Sequence, residues 1–119
     1  MPGTPVHINQ AQHNEEFFLS FDRTVYSDWA ITVLFYAALH YVDAFLAHVG
    51  IRNPGGHSNR EQYIQSRPEL QPIYNEYSRL KNRSASARYY ARRFSPEEIE
   101  RCRNQDLENI KQRIRSILT

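Results

Sequence analysis

The residues of this chain best suited to binding a charged ligand lie in one short stretch, from Arg79 to Arg93. It holds six basic residues, no acidic residue and a Tyr pair. Arginine pairs with phosphate through two hydrogen bonds, and tyrosine rings stack on bases, so the stretch favours RNA or nucleotide binding. The alternative is a solvated basic face with two packing tyrosines. The candidate ligand-binding residues are Arg79, Arg83, Arg88, Tyr89 and Tyr90.

Helical spacing places this stretch beside a packing face. The apolar stripe that it continues consists of Ile73, Tyr77, Leu80, Ser84, Ala87 and Ala91. Arg83, Ser86 and Tyr90 fall along one border of the stripe. We therefore expect the Arg83 guanidinium to stand at the mouth of a groove.

A second group of polar residues lies on one face of the preceding apolar segment, where Tyr36, His40 and Asp43 are spaced by four and three. A metal site would need a further inward ligand, and His48 lies outside this stripe. The favoured interpretation is a hydrogen bond from His40 to the carboxylate of Asp43, with no metal and no cofactor.

The other histidines have two different settings. His7 and His13 belong to the N-terminal segment and are expected to be exposed. His57 lies in a loop near Arg60, where it could act as an acid or base in RNA cleavage, because RNA supplies its own 2′-hydroxyl nucleophile. The alternative for His57 is a loop residue that bonds locally. The preceding Gly55-Gly56 turn could offer amides to an anion, or could simply be a turn.

Composition excludes several other functions. The lone Cys102 rules out an intramolecular disulfide and a multi-cysteine zinc site, and we expect it to pack rather than to react. Glycine-rich phosphate loops and nucleophile elbows are absent from the sequence. Residues 1–50 carry a net charge of −4 and residues 51–119 a net charge of +6. This asymmetry and the many aromatic residues predict a homodimer.

Helix start and stop signals organise the chain as a single domain over residues 1–119. The predicted helices run from a capping box at Asn9 to about Arg23, from a cap at Ser27-Asp28 to Gly50, from a capping box at Ser58 to before Pro68, from about Glu69 to Arg93, and from an N-cap at Ser95 to about Leu118. Residues 53–56 form a loop, and no segment alternates as a strand would. The prediction is an all-α, up-and-down bundle of four long helices and one short one.

The second helix is apolar enough to raise the question of a membrane. However, Thr32, His40 and Asp43 interrupt it, and the bundle would otherwise lack a central helix. The N-terminus shows no basic-then-apolar signal pattern. We therefore expect a cytoplasmic protein that does not contact a membrane.

The order of these features resembles the HEPN domain, a small all-helical family. The resemblance rests on the second-helix run Asp28–Leu46, on Gly50-Ile51, on His57-Ser58, on the segment Arg79–Tyr90 and on the run Phe94–Glu98. It implies a four- or five-helix bundle, commonly dimeric, in toxin–antitoxin or defence settings. Some members are metal-independent ribonucleases, and others act beside a minimal nucleotidyltransferase.

The residues after Arg83 distinguish between these implied functions. Ribonuclease members carry an Arg followed after four to six residues by a His, but here Arg88, Tyr89 and Tyr90 occupy the corresponding positions. The resemblance thus implies a non-catalytic module that binds RNA or nucleotide phosphate, or docks on a partner nucleotidyltransferase. The alternative is a metal-independent ribonuclease that uses Arg83 with His57 or Tyr90. Tyrosine, with a pKa of about 10, is a poor base at neutral pH.

Overall fold

The hydrophobic periodicity of the chain is realised as five helices in the computed structural model, which describes residues 2–119. They are α1 (Thr4–Phe18), α2 (Ser27–His48), α3 (His57–Ser66), α4 (Tyr74–Tyr90, preceded by a 3-10 turn, Gln71–Ile73) and α5 (residues 96–118). Helix α5 consists of Pro96–Arg101, a π-helical turn at Cys102–Leu107, and Glu108–Leu118. Residues 2–119 contain no strand, so the all-α prediction is confirmed, with four long helices and one short one.

Helix α2 forms the centre of the fold and packs against α1, α4 and α5. Its Phe35, Tyr41 and Phe45 are among the largest fully buried side chains. Among residues 2–119, α2 alone is long and apolar enough to cross a membrane, and 83% of its most apolar window is buried inside the fold. Burial against other helices on several sides explains why most of this helix is apolar.

Helix α1 differs from its prediction at both ends. It begins at Thr4 instead of Asn9, with Pro5 in its first turn, where a missing amide hydrogen costs nothing. It ends at Phe18 instead of near Arg23. The Asp22 carboxylate accepts hydrogen bonds from the amides of Thr24 and Val25 and so forms a separate turn between α1 and α2. The longer N-terminal part brings His7 into contact with α2.

Two predicted N-caps are wrong in detail. Tyr26 precedes α2, and the hydroxyl of Ser27 accepts a hydrogen bond from the amide of Phe94, 3.1 Å away. Gly56, at a φ of +129°, precedes α3, which begins at His57 without a side-chain cap. Tertiary contacts and glycine backbone freedom thus replace the local hydrogen bonds expected from Ser27 and Ser58.

Helix α4 ends earlier than predicted. Ala91 adopts a left-handed conformation, with a φ of 53°, and the amide of Arg92 bonds to the carbonyl of Ser86 as in a helix-terminating motif. The turn brings Phe94 into the core. Ala91 is therefore exposed and does not extend the apolar stripe.

The predicted start of α5 is confirmed by a complete capping box between Ser95 and Glu98. We expect Ser95→Ala to lower the free energy of unfolding by about 1 kcal/mol, because two helix-terminal amide contacts depend on this pair. Urea denaturation measures the change. Ser58→Ala is the matched control, since Ser58 caps no amide, and a loss in Ser58→Ala equal to that in Ser95→Ala would contradict the assignment.

Candidate functional site

The basic stretch is divided between two sides of α4. Arg79 and Arg83 face α5, where the Asp106 carboxylate accepts from Nη2 of Arg79 at 2.7 Å and from Nη1 of Arg83 at 3.4 Å. Arg83 also lies 3.5 Å from Sγ of Cys102. The hydrogen bond to Asp106 raises the pKa of Arg79. Both guanidinium groups thus have a partner inside the fold, and Arg83 does not stand free at a groove.

The π-helical turn of α5 supplies that partner. It places Cys102, Asp106 and Leu107 on the buried side, with Asp106 only 3% exposed. Burial raises the pKa of the Cys102 thiol, which keeps it protonated at neutral pH and suits a packing role. Insertion of a π turn shifts which residues face inward, so the helical pattern alone did not identify Asp106.

Arg88 lies on the opposite side of α4, against α2. Its Nη1 donates to the Tyr36 hydroxyl at 3.0 Å and its Nε donates to the Ser84 carbonyl at 3.3 Å. The guanidinium carbon is 5.7 Å from the ring centre of Tyr36 and 5.2 Å from that of Tyr89. Arg88 is exposed, and so are Tyr89 and Tyr90, at 73% and 82%.

Ion pairing distinguishes Arg88 from the other five basic residues of the stretch. Those five have carboxylate partners: Arg79 and Arg83 pair with Asp106, Lys81 with Glu61, Arg92 with Glu98 and Arg93 with Asp28. Within residues 2–119, no carboxylate lies within 4.0 Å of Arg88. The cation is stabilised by neutral oxygens and rings, and part of its donor capacity remains for a ligand.

His57 belongs to the Arg88 side of the molecule. Its ring centre is 5.7 Å from that of Phe35, and its Nδ1 is 3.4 Å from Nη1 of Arg60. Partial burial lowers the pKa of His57, and the positive charges of Arg60, Lys81 and Arg88 lower it further. The lowered pKa favours the neutral form of the imidazole at pH 7. We refer to Tyr36, His57, Arg88, Tyr89 and Tyr90 as the Arg88 face.

His40 and Asp43 of α2 do not bond to each other, because each has a different partner. Asp43 accepts from Nε and Nη2 of Arg60 at 2.7 and 3.1 Å. Nδ1 of His40 lies 3.1 Å from Nδ1 of His7. The expected bond from His40 to Asp43 is therefore wrong, and so is the expectation that His7 is exposed, since it is only 8% exposed. Burial lowers the pKa of both histidines.

Local sequence signals could have identified only some of these residues. His7, Ala11 and Phe18 recur at helical spacing, and all three are buried, so a helix started at Thr4 would have placed His7 inward. The contact between Tyr36 and Arg88 joins residues 52 apart in sequence and carries no local signal.

Comparison of the chain with protein-family models, with curated proteins and with solved structures gives no match. Function is therefore inferred from the geometry and chemistry of the site itself.

Proposed function

We propose that this chain is a HEPN-like helical module that binds RNA through the Arg88 face, without catalysis. The observation that carries the proposal is the environment of Arg88: it is exposed, has no carboxylate partner among residues 2–119, and has its guanidinium carbon 5.7 and 5.2 Å from the ring centres of Tyr36 and Tyr89. The order of sequence features that resembles the HEPN family supports the fold-level part of the proposal. Among the five candidate ligand residues, this assignment keeps Arg88, Tyr89 and Tyr90 and gives Arg79 and Arg83 a structural role.

Binding at the Arg88 face would combine charge with stacking. The free donors of Arg88 would pair with a phosphate, and the exposed rings of Tyr89 and Tyr90 would accept unpaired bases. A single strand suits this surface better than a duplex, because stacking needs bases that are splayed out. Since phosphate pairing releases counterions, the affinity should fall steeply as salt rises.

The test is fluorescence anisotropy with a labelled single-stranded RNA. We expect Arg88→Ala to weaken binding at least tenfold, and Tyr89→Ala to weaken it by about 1–3 kcal/mol, whereas Tyr89→Phe keeps the ring and the affinity. Arg101→Ala is the matched control, because Arg101 is an exposed arginine on α5, away from the Arg88 face. Equal losses in Arg88→Ala and Arg101→Ala, or no binding at about 100 µM protein, would contradict the proposal.

A metal-independent ribonuclease is the second candidate, and the neutral His57 next to cationic side chains favours it. Such a histidine could accept the proton of a 2′-hydroxyl. In the version based on Arg83, that guanidinium would have to leave Asp106 and Cys102, whereas His57 contacts Phe35 and Arg60. RNA fragments that form in chelator and disappear in His57→Ala would establish the enzyme. Intact RNA would instead support the non-catalytic binding module.

The HEPN resemblance also suggests two settings for this module, which we include in the proposal. One is a cytoplasmic toxin–antitoxin or defence system, and the other is docking on a nucleotidyltransferase. Co-purification with a nucleotidyltransferase, without RNA binding, would support a docking subunit in place of the RNA-binding module.

We further propose that the chain forms a homodimer through exposed aromatics near the end of α1 and the start of α2. Phe17, Tyr26 and Trp29 are 50%, 51% and 57% exposed, and Trp29 lines a cleft with Arg88. Aromatic residues and arginine are enriched at protein interfaces. A two-fold contact here would bring two Arg88 faces near one another.

Light scattering tests this assembly. We expect a mass of twice 14.1 kDa at about 100 µM protein, and a single-chain mass for Trp29→Asp. Gln105→Asp, at an exposed position on α5, adds the same single negative charge, so it serves as the charge-matched control and should remain dimeric. A single-chain mass for the unaltered protein would contradict the homodimer.

A further inference from the structure

Three side chains of metal-ligating type converge where α1 crosses α2. They are His7 from α1, and His40 and Asp43 from α2. One ligand atom from each lies within 4.8 Å of the other two. Two of the three residues, His7 and Asp43, are buried, and neither takes part in the Arg88 face.

The two imidazoles already stand at a distance that suits a shared ion. Their Nδ1 atoms are 3.1 Å apart. Two nitrogen ligands at about 2.0–2.1 Å from one ion are separated by roughly 3.0–3.4 Å at ordinary ligand–metal–ligand angles. The observed separation falls within this range, so the two nitrogens would not have to move apart or together for both to bind one ion.

Asp43 is held in place by the contact with Arg60. Nε and Nη2 of Arg60 each bond to a different carboxylate oxygen, at 2.7 and 3.1 Å. An ionised carboxylate has about four lone-pair sites, so two remain for another partner. Such outer contacts orient ligating carboxylates in metal sites, and Arg60 would have this role here.

Access to these ligands is also present. His40 is half-buried and lines an open groove together with Gln10, Asn14 and Tyr36. An ion and its remaining water ligands could therefore enter from the His40 side, while Asp43 lies on the protein side of the site. A metal site needs both an entry path and a set of fixed ligands.

We propose that His7, His40 and Asp43 bind one divalent first-row transition-metal ion, with water in the remaining coordination positions. Two imidazoles and one carboxylate suit zinc, nickel, cobalt or ferrous iron better than magnesium or calcium, which prefer oxygen ligands. The ion would join α1 to α2. None of the three proposed ligands belongs to the Arg88 face, so the failure of either proposal leaves the other intact.

The test uses the full chain, stripped with a chelator and then titrated with Zn²⁺ by calorimetry. We expect one ion per chain with micromolar or tighter affinity, and at least tenfold weaker binding in His7→Ala and in His40→Ala. His13→Ala and His48→Ala are the controls, because both histidines are exposed on the same two helices. Equal affinity for His7→Ala and the unaltered chain would overturn the site.

A measurement on the unaltered protein removes the question of whether the variants fold. In a histidine-ring NMR spectrum, Zn²⁺ should shift the resonances of His7 and His40 and leave those of His13 and His48 in place. Co²⁺ should likewise give visible absorption bands whose intensity is that of a protein-coordinated ion and not that of the ion in water. Ring shifts confined to exposed histidines, or binding that does not saturate, would mean that the 3.1 Å contact is only a hydrogen bond between imidazoles.

Discussion

Asp43→Asn is expected to lower the free energy of unfolding by about 3–5 kcal/mol, because it leaves the Arg60 cation buried without its anion. The side chains of Arg60 and Asp43 are only 10% and 7% exposed, so water cannot replace the lost carboxylate. Folded domains of ordinary stability have about 5–15 kcal/mol in total. The variant should therefore lie close to unfolding at 37 °C. Urea denaturation in chelator measures the loss without any contribution from a bound ion.

Asp28→Asn is the matched control for this experiment. Asp28 pairs with Arg93 at 3.4 Å, but the Arg93 side chain is 64% exposed, and exposed pairs contribute only about 0–1 kcal/mol. The double variant Asp43→Leu, Arg60→Met should recover much of the loss, since it removes both buried charges together. A small effect of Asp43→Asn, equal to that of Asp28→Asn, would show that the pair is solvated.

Phe35→Ala is expected to cost about 3–5 kcal/mol, the range found when a buried aromatic side chain is removed. Phe35 is fully buried, and its ring packs against those of Tyr36, His57 and Tyr77 at centre-to-centre distances of 5.2–5.7 Å. The cavity would lie directly beneath the Arg88 face. We therefore expect RNA affinity to fall as well as stability.

Leu19→Ala provides the comparison, because Leu19 is 53% exposed and belongs neither to the Arg88 face nor to the proposed dimer contact. Surface substitutions usually change stability by no more than about 0.5 kcal/mol. The free energies of unfolding of the two variants, measured by urea denaturation, should therefore differ by several kcal/mol. Comparable losses would contradict the assignment of Phe35 as a core residue whose removal is especially costly.

The sequence predicted the parts of this fold that depend on local patterns. The apolar run of α2, the stripe of α4 from Ile73 to Ala87 and the N-cap at Ser95 all appear in the structure. Each of these is determined by residues within one or two helical turns, which is why spacing alone identifies them. The predicted start of α1 was wrong because the sequence offers two plausible helix starts, a capping box at Asn9 and Pro5 in a first turn, and the structure uses the second.

The parts that were not predicted depend on which helices meet. Asp106 neutralises Arg79 and Arg83 across a helix interface, and Arg60 reaches Asp43 from a different helix. No periodicity within one segment specifies such pairs. These ion pairs also changed the candidate site: among residues 2–119, Arg88 is the one basic residue of the Arg79–Arg93 stretch without a carboxylate partner.

An NMR titration of the ¹⁵N-labelled chain with a short single-stranded RNA tests most directly whether RNA binds at the Arg88 face. We expect saturable shifts at the Arg88 Nε–H and at the amides of Tyr89 and Tyr90, with smaller changes at His57. These shifts should decline as salt is raised, because phosphate contacts release counterions. A titration that leaves these signals unchanged, or that shifts only Arg101 and Arg103 on α5, would contradict the account.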